Sequence, residues 1–314
     1  MIKIYNTDLE TNIFSEIKEY KKGSWINLVN PSEKEIQEVC ENIKIKEDFI
    51  KYSLDNEEKS RIEVEEEDNT TFIIIDVPII EVENGEEIHT TMPLGMIVAR
   101  DDFFITVSLN SIPIISQMEN NKKIITYKKS RMILQIFYKN SETFLRELKK
   151  IDKEKEVAEK ALNNSMKNKE LLKMLSLEKS LVYITTSLKA NELVMEKTMR
   201  GKIIKLYQDD EDILEDAIIE NRQAMEMSKI YSDILSGTMD AYASIISNNL
   251  NIVMKVLTSI TIILSVPTII GSFWGMNVHV PMEESPFGFY IVMGLAVIIS
   301  VALLFWFRKK DMLS

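Results

Sequence analysis

Cysteine is all but missing from this chain of 314 residues: Cys40 is the only one, which excludes an intrachain disulfide framework and fits a reducing compartment. Histidine is nearly as scarce. With only His89 and His279, the sequence cannot supply a His/Cys cluster of zinc-binding spacing. The nine glycines are scattered and form neither a phosphate-cradling loop nor a nucleophile elbow. An enzyme is therefore not expected, nor a resident cofactor. Basic residues are outnumbered, 38 Lys and Arg against 49 Asp and Glu, and the net charge of -11 argues against a nucleic-acid partner, whose phosphates need a basic surface. Divalent cations are a more natural counterpart, although an acidic surface also simply keeps a domain soluble.

Two stretches lack charge altogether. From Val256 to Met276 and from Phe287 to Phe307 there is no Asp, Glu, Lys or Arg. As helix, at about 1.5 Å per residue, each is long enough to cross a hydrocarbon core of about 30 Å. They read as a membrane hairpin with spans at about 253–276 and 287–307 and a loop at 278–286. A mean hydropathy of -0.06 makes this apolar surplus local, so the remainder is expected to be soluble. No uninterrupted apolar run follows Met1, and a cleavable signal peptide is not expected. Lys255 precedes the first span and Arg308, Lys309 and Lys310 follow the second, while the loop carries Glu283 and Glu284 but no Lys or Arg. By the positive-inside rule, both termini are cytoplasmic in a multi-pass protein of the cell inner or plasma membrane.

Proline is absent between Pro113 and Pro267, and the only glycines there are Gly201 and Gly237. That region predicts long helices, with breaks around Asn163-Asn164-Ser165 and near Gly201 and a third helix from about Lys202 that runs unbroken into the bilayer. Ahead of it, Ile2–Tyr5, Trp25–Val29, Thr71–Val77, Leu94–Ala99 and Phe103–Val107 are rich in β-branched and aromatic residues and suit strands. Asn30 is placed to cap a helix with Pro31 first in it, putting Ile36, Val39 and Ile43 on one face. The expected architecture is an α+β cytosolic domain over 1–125, a long-helix stalk over 126–250 and a transmembrane pore region over 251–314.

Polar residues in the first span are not scattered. Asn251, Thr258, Thr261, Ser265, Thr268 and Ser272 recur at steps of three, four or seven, with Met254 in the same register and Ser259 the only hydroxyl off it. A repeat of about 3.5 residues puts such a seam on the inner face of a helical bundle. Serine and threonine at this spacing also join ordinary transmembrane helices without conduction. The length of the seam, its continuation through Ser244 and Asp240, and Gly275-Met276-Asn277 at its outer end favour a pore, which requires a symmetric oligomer with this span innermost. Mg²⁺ gives up its water reluctantly, so hydroxyl and amide oxygens along such a path suit a still-hydrated ion.

The chain resembles the CorA family of magnesium channels, through the Gly-Met-Asn signature after the first of two carboxy-terminal spans, Met254-Lys-Val-Leu-Thr258, Pro267, Trp274 and the basic tail. The resemblance implies a funnel-shaped homopentamer that admits Mg²⁺, with Co²⁺ or Ni²⁺ as further candidates, driven by the membrane potential and gated by cytosolic Mg²⁺. It implies a selectivity filter of Gly275, Met276 and Asn277, a polar ring at Asn251, a hydrophobic gate at Met254 and Leu257, a hydrophilic wall position at Thr268 and a ring at Asp240 below the membrane. Ser265 stands where a large apolar gate residue is usual, and Glu283 and Glu284 keep acidic charge at the mouth. The expected regulatory carboxylate aligns with Asp216, near Asp212; its usual partner falls at Tyr52, so Asp55 or Glu58 would have to substitute. Two other readings remain open: a ZntB-like zinc transporter, against which the methionine of the signature speaks, and a membrane-anchored, cation-sensing scaffold.

Overall fold

The computed structural model describes residues 1–83, 86–164, 168–201, 203–204, 208–281 and 285–313. They fall into two compact units, Met1–Ser236 and Gly237–Ser314.

The first unit is built on a seven-stranded sheet. Its strands are β1 (Ile2–Thr7), β2 (Phe14–Ile17), β3 (Trp25–Val29), β4 (Arg61–Glu65), β5 (Thr70–Glu83), β6 (Glu86–Ala99) and β7 (Phe103–Ser108). They lie in the order β2-β1-β3-β7-β6-β5-β4, antiparallel throughout except for the parallel pair β3 and β7. Side chains alternate across a strand, and this period of two sorts the core onto two faces. Ile26, Leu28, Phe72, Ile74, Ile97, Ile105 and Val107 meet α1 (Glu33–Ile43) and α2 (Glu47–Tyr52) through Ile36, Val39, Phe49 and Ile50. On the other face Trp25, Ile73, Ile75, Leu94, Met96 and Phe104 share a core with α3 (Pro113–Glu119), α4 (Lys129–Asn164), α5 (Asn168–Gly201) and the start of α6 (Gln208–Trp274).

Helix α1 opens differently from the expectation at Asn30. The cap is Ser32, whose side chain accepts from the Glu35 amide while Glu35 reaches back to the Ser32 amide, a reciprocal capping box. Asn30 instead takes a left-handed φ of 44° and donates its N–H to the Ser108 carbonyl at 2.9 Å, ending β3. Ile36, Val39 and Ile43 are buried as the spacing predicts. Ser32→Ala is expected to cost about 1 kcal/mol of first-unit stability, read as a shifted denaturation midpoint with unchanged slope.

Buried polar groups tie the helices to the sheet. Asn191 of α5 is fully buried; its amide oxygen accepts the Asp76 N–H at 2.9 Å and its amide nitrogen donates to the Asp76 carbonyl at 2.8 Å. The amide of Asn140 on α4 donates to the same carbonyl at 2.8 Å. α5 is bonded to α6 where the Asn221 amide donates to the Leu188 carbonyl and the Thr185 and Ser228 hydroxyls meet at 2.7 Å.

The break expected around residues 163–165 lies between α4 and α5, with 165–167 outside the described residues. Lys202 and 205–207 are likewise outside them, and the third long helix opens at Gln208. α6 runs to Trp274 as one helix, passing through Gly237, Pro267 and Gly271 without a break. The second unit holds the end of α6 and α7 (Gly288–Lys309).

Candidate functional site

α6 and α7 are both long and apolar enough to cross a membrane. Only 6% and 11% of their most apolar windows are buried, whereas the core helix of a soluble protein hides most of its apolar surface. Within the second unit the two helices pair through few polar contacts, each with a definite cause. Pro267 has no N–H to offer the Ile263 carbonyl one turn back. Ser300, the only serine or threonine of the second apolar run, has its hydroxyl 3.5 Å from that freed carbonyl and 2.9 Å from the carbonyl of Ala296. Sequence reading missed this pairing, whose signal is a lone serine in one span and a lone proline in the other. Ser259, the hydroxyl off the seam, is fully buried and donates to Lys255 and to the Met312 carbonyl at 3.2 Å. That contact gathers Lys255 and the basic tail Arg308–Lys310 at one end of the hairpin, opposite the Gly-Met-Asn loop.

The register of α6 explains what is left uncovered. Counting by sevens from Asn251, the buried or half-buried positions Val256, Ser259, Ile263, Val266 and Ile270 occupy one side. The seam occupies the other: Asn251, Met254, Thr258, Thr261, Thr268 and Ser272 are exposed, and Ser265 is half-buried. Leu257 beside it is 56% exposed and Met254 51%. Asp240 and Ser244 follow the same register and are exposed, with the Ser244 hydroxyl on the Asp240 carbonyl at 3.0 Å.

Three of the seam hydroxyls spend their protons on their own helix. Thr261 donates to the Leu257 carbonyl at 2.8 Å, Ser265 to Thr261 at 2.6 Å and Thr268 to Leu264 at 3.2 Å. Their oxygens therefore face outward as acceptors. Water bound to a cation points its hydrogens away from the ion, so a row of acceptors matches a hydrated dication.

At the Gly-Met-Asn end of α6, Gly275 continues the last turn, its N–H on the Gly271 carbonyl at 2.9 Å; a Cβ there would stand 3.2 Å from that carbonyl oxygen. Met276 and Asn277 are exposed beyond it, and the Trp274 indole donates to the Pro281 carbonyl at 3.4 Å, folding the loop back. Glu283 and Glu284 lie outside the described residues.

The regulatory candidates are all in the first unit. Asp212 and Asp216 are exposed on α6, one turn apart. Asp55 is exposed and accepts the Glu57 N–H at 3.0 Å. Glu58 is engaged by Arg61, whose guanidinium also lies 5.0 Å over the Tyr52 ring. Among the described residues no three acidic, histidine or cysteine side chains converge to hold a metal ion within one chain.

Residues 20–309 match the family described as CorA-like Mg²⁺ transporter protein. The chain belongs to the CorA-like Mg²⁺ transporter family. A relative from Methanocaldococcus jannaschii, named cobalt/magnesium transport protein CorA, is 29% identical over 296 residues, covering 91% of this chain and 90% of its own. A protein of the same name from Thermotoga maritima is 32% identical over 148 residues, 43% of this chain and 42% of its own. The complete structure of the M. jannaschii CorA magnesium transporter is similar with a TM-score of 0.84 at 25% identity, covering 98% of each chain. Membership of the CorA family agrees with the resemblance drawn from the signature, and the likeness extends over the soluble domain, the long helix and both apolar helices.

Proposed function

We propose that this CorA-family chain conducts hydrated Mg²⁺ into the cytosol through a homopentameric pore lined by the seam of α6. The observation that carries this reading is the division of α6 into two faces. α7 takes the side of Ser259 and Ile263 and leaves the acceptor-bearing side largely exposed among the described residues. Acceptor oxygens left to face lipid would be poorly matched, and copies of the chain arranged about an axis would turn them toward water. The names of the relatives support Mg²⁺ and Co²⁺ as cargo.

Asn277 and the backbone near Gly275 form the entry site for the hydrated ion, Thr258 to Ser272 the wall, and Met254 with Leu257 an apolar constriction that closes by excluding water. Asn251 and then Asp240 follow toward the cytosol. Glu283 and Glu284 raise the cation concentration at the mouth. Lys255 and Arg308–Lys310 hold their end of the hairpin on the cytoplasmic side, so both termini are cytoplasmic. The inside-negative membrane potential drives entry, at about 2.3 kcal/mol per charge per 100 mV.

Cytosolic Mg²⁺ closes the pore by bridging carboxylates of neighbouring copies. Asp216 and Asp212 of one copy face Asp55 of the next, with Glu58 a weaker candidate because Arg61 holds it. This fits a site that no single chain completes.

Purified protein in liposomes loaded with a Mg²⁺-sensitive dye tests the reading. A dye response that grows with inside-negative potential is expected; silence from an assembled, inserted protein would favour the anchored scaffold.

A further inference from the structure

His89, on the outer half of β6, is 1% exposed and is not among the residues of the proposed pore. Two carboxylates of α4 bracket it: Glu147 Oε2 lies 3.4 Å from Nδ1 and Glu154 Oε1 lies 3.1 Å from Nε2. Glu147 and Glu154 are two turns apart on one helix face, and the ring inserts between them. Because they meet opposite edges of the imidazole, they cannot share one metal ion with it. An imidazolium turns an N–H toward each carboxylate; the Nε2 contact with Glu154 has hydrogen-bond geometry, and the Nδ1 contact with Glu147 is an ion pair without it. A neutral ring has one N–H, and in either tautomer it turns a lone pair toward a carboxylate.

Other charges face this cluster. Lys150 of α4 lies 2.8 Å from Glu147, and Lys173 of α5 lies 3.2 Å from Glu154. On β5, Ile80 stands opposite His89 in register and the exposed Glu81 follows it. Burial disfavours the charged ring, but the hydrogen bonds and charges of Glu147 and Glu154 more than offset it and raise its pKa above the ordinary histidine value. Burial also opposes ionisation of Glu147, yet His89 and Lys150 hold its carboxyl below the usual range.

The placement gives this ion triad leverage. β7 joins β6 only from Leu94 onward, so the outer half of the β5–β6 hairpin has no second strand beside it on that edge. Asn140 and Asn191 hold it at its base through Asp76; beyond Asp76, among the described residues, its polar side-chain links to the helices are the His89 pair and a Thr91–Ser187 hydroxyl contact at 2.8 Å. We propose that His89, Glu147 and Glu154 form a proton-operated latch. With the ring protonated, the outer hairpin is fastened to α4; loss of the proton releases it.

The sign follows from linkage. A latched pKa above the released value means the latch is at full strength below about pH 6.5, weakens about tenfold per pH unit above that, and levels off past the latched pKa. Hydrogen exchange read by mass spectrometry on the full chain in detergent, at pH 6 and pH 9 with intrinsic rates corrected, tests this without any assumption about transport. Peptides covering 79–92 are expected to lose protection at pH 9 relative to pH 6, while peptides of β1 and β3 keep theirs. In His89→Gln the difference between the two pH values should largely vanish. Equal corrected protection of 79–92 at both pH values in the unsubstituted chain would overturn the latch, as would an undiminished pH dependence in a folded His89→Gln protein.

Discussion

Asn277→Ala is expected to lower Mg²⁺ uptake at least about tenfold and to leave the protein assembled, because in the proposed pore the side chain serves the ion and not the fold. Tenfold corresponds to about 1.4 kcal/mol, less than the roughly 1.5–3 kcal/mol of one hydrogen bond to a charged partner, and the loss recurs in every copy around the axis. Asn277 is exposed beyond the end of α6, and among the described residues its amide makes no hydrogen bond that alanine would break. The expected signature is therefore a flux defect with unchanged thermal stability and unchanged oligomer size. Dye-loaded liposomes at fixed potential, normalised to assembled protein, give the measurement. Wild-type flux from a correctly assembled variant would remove Asn277 from the filter.

Gly95→Ala is expected to produce a large stability loss. Gly95 lies in β6 between Ile74 of β5 and Val107 of β7, and a Cβ there would stand 1.9 Å from Ser53 Oγ and 2.5 Å from Ser53 Cβ. Ser53 cannot easily give way: it is fully buried at the end of α2, with its hydroxyl on the Phe49 carbonyl at 2.9 Å. Backing α2 off the sheet would also part the Phe49 and Phe72 rings, whose centroids are 4.9 Å apart. Overpacking of this kind costs about 3 kcal/mol or more. For a unit of this size that is a fall in Tm of roughly 6–12 °C. A Tm within a degree of wild type would show that α2 shifts freely, against the close packing described.

The sequence was most readable where one force dominates. Runs such as Thr71–Val77 and Phe103–Val107 are buried on both faces, and their β-branched residues mark the inner strands directly. β2 (Phe-Ser-Glu-Ile) and β4 (Arg-Ile-Glu-Val-Glu) escaped notice because they are the two edges, where polar residues guard against stray pairing and erase the strand signal. The outer half of β6, with Glu87, His89, Thr90 and Thr91, is polar for a different reason: it meets α4 and α5 through ionic and hydroxyl groups. The α1 cap went to Asn30 on the strength of Pro31, but the end of β3 claims Asn30 and leaves the cap to Ser32.

The candidate site was legible to the extent that helical period decides it. The spacing placed Ser259 off the seam, and it is the hydroxyl that the hairpin buries. The bonding of the seam hydroxyls back to the helix, and the meeting of Ser300 with the carbonyl freed by Pro267, depend on rotamers and on the facing helix, which spacing does not encode. The acidic residues are the least legible part. Asp212 and Asp216 are exposed, with no converging ligand among the described residues of their own chain, and a single sequence cannot name a partner on another subunit.

The central claim is that the acceptor face of α6 lines a watery axis, and a cysteine scan tests it most directly. In a Cys40→Ala background, which removes the only native thiol, each position from 254 to 272 is replaced singly by cysteine and exposed to a charged thiol reagent while Mg²⁺ uptake is followed. The account predicts block at Met254, Thr258, Thr261, Ser265, Thr268 and Ser272, with little effect at Ser259, Ile263, Val266 and Ile270. Block that follows the Ser259 and Ile263 face, or that shows no helical period, would contradict it.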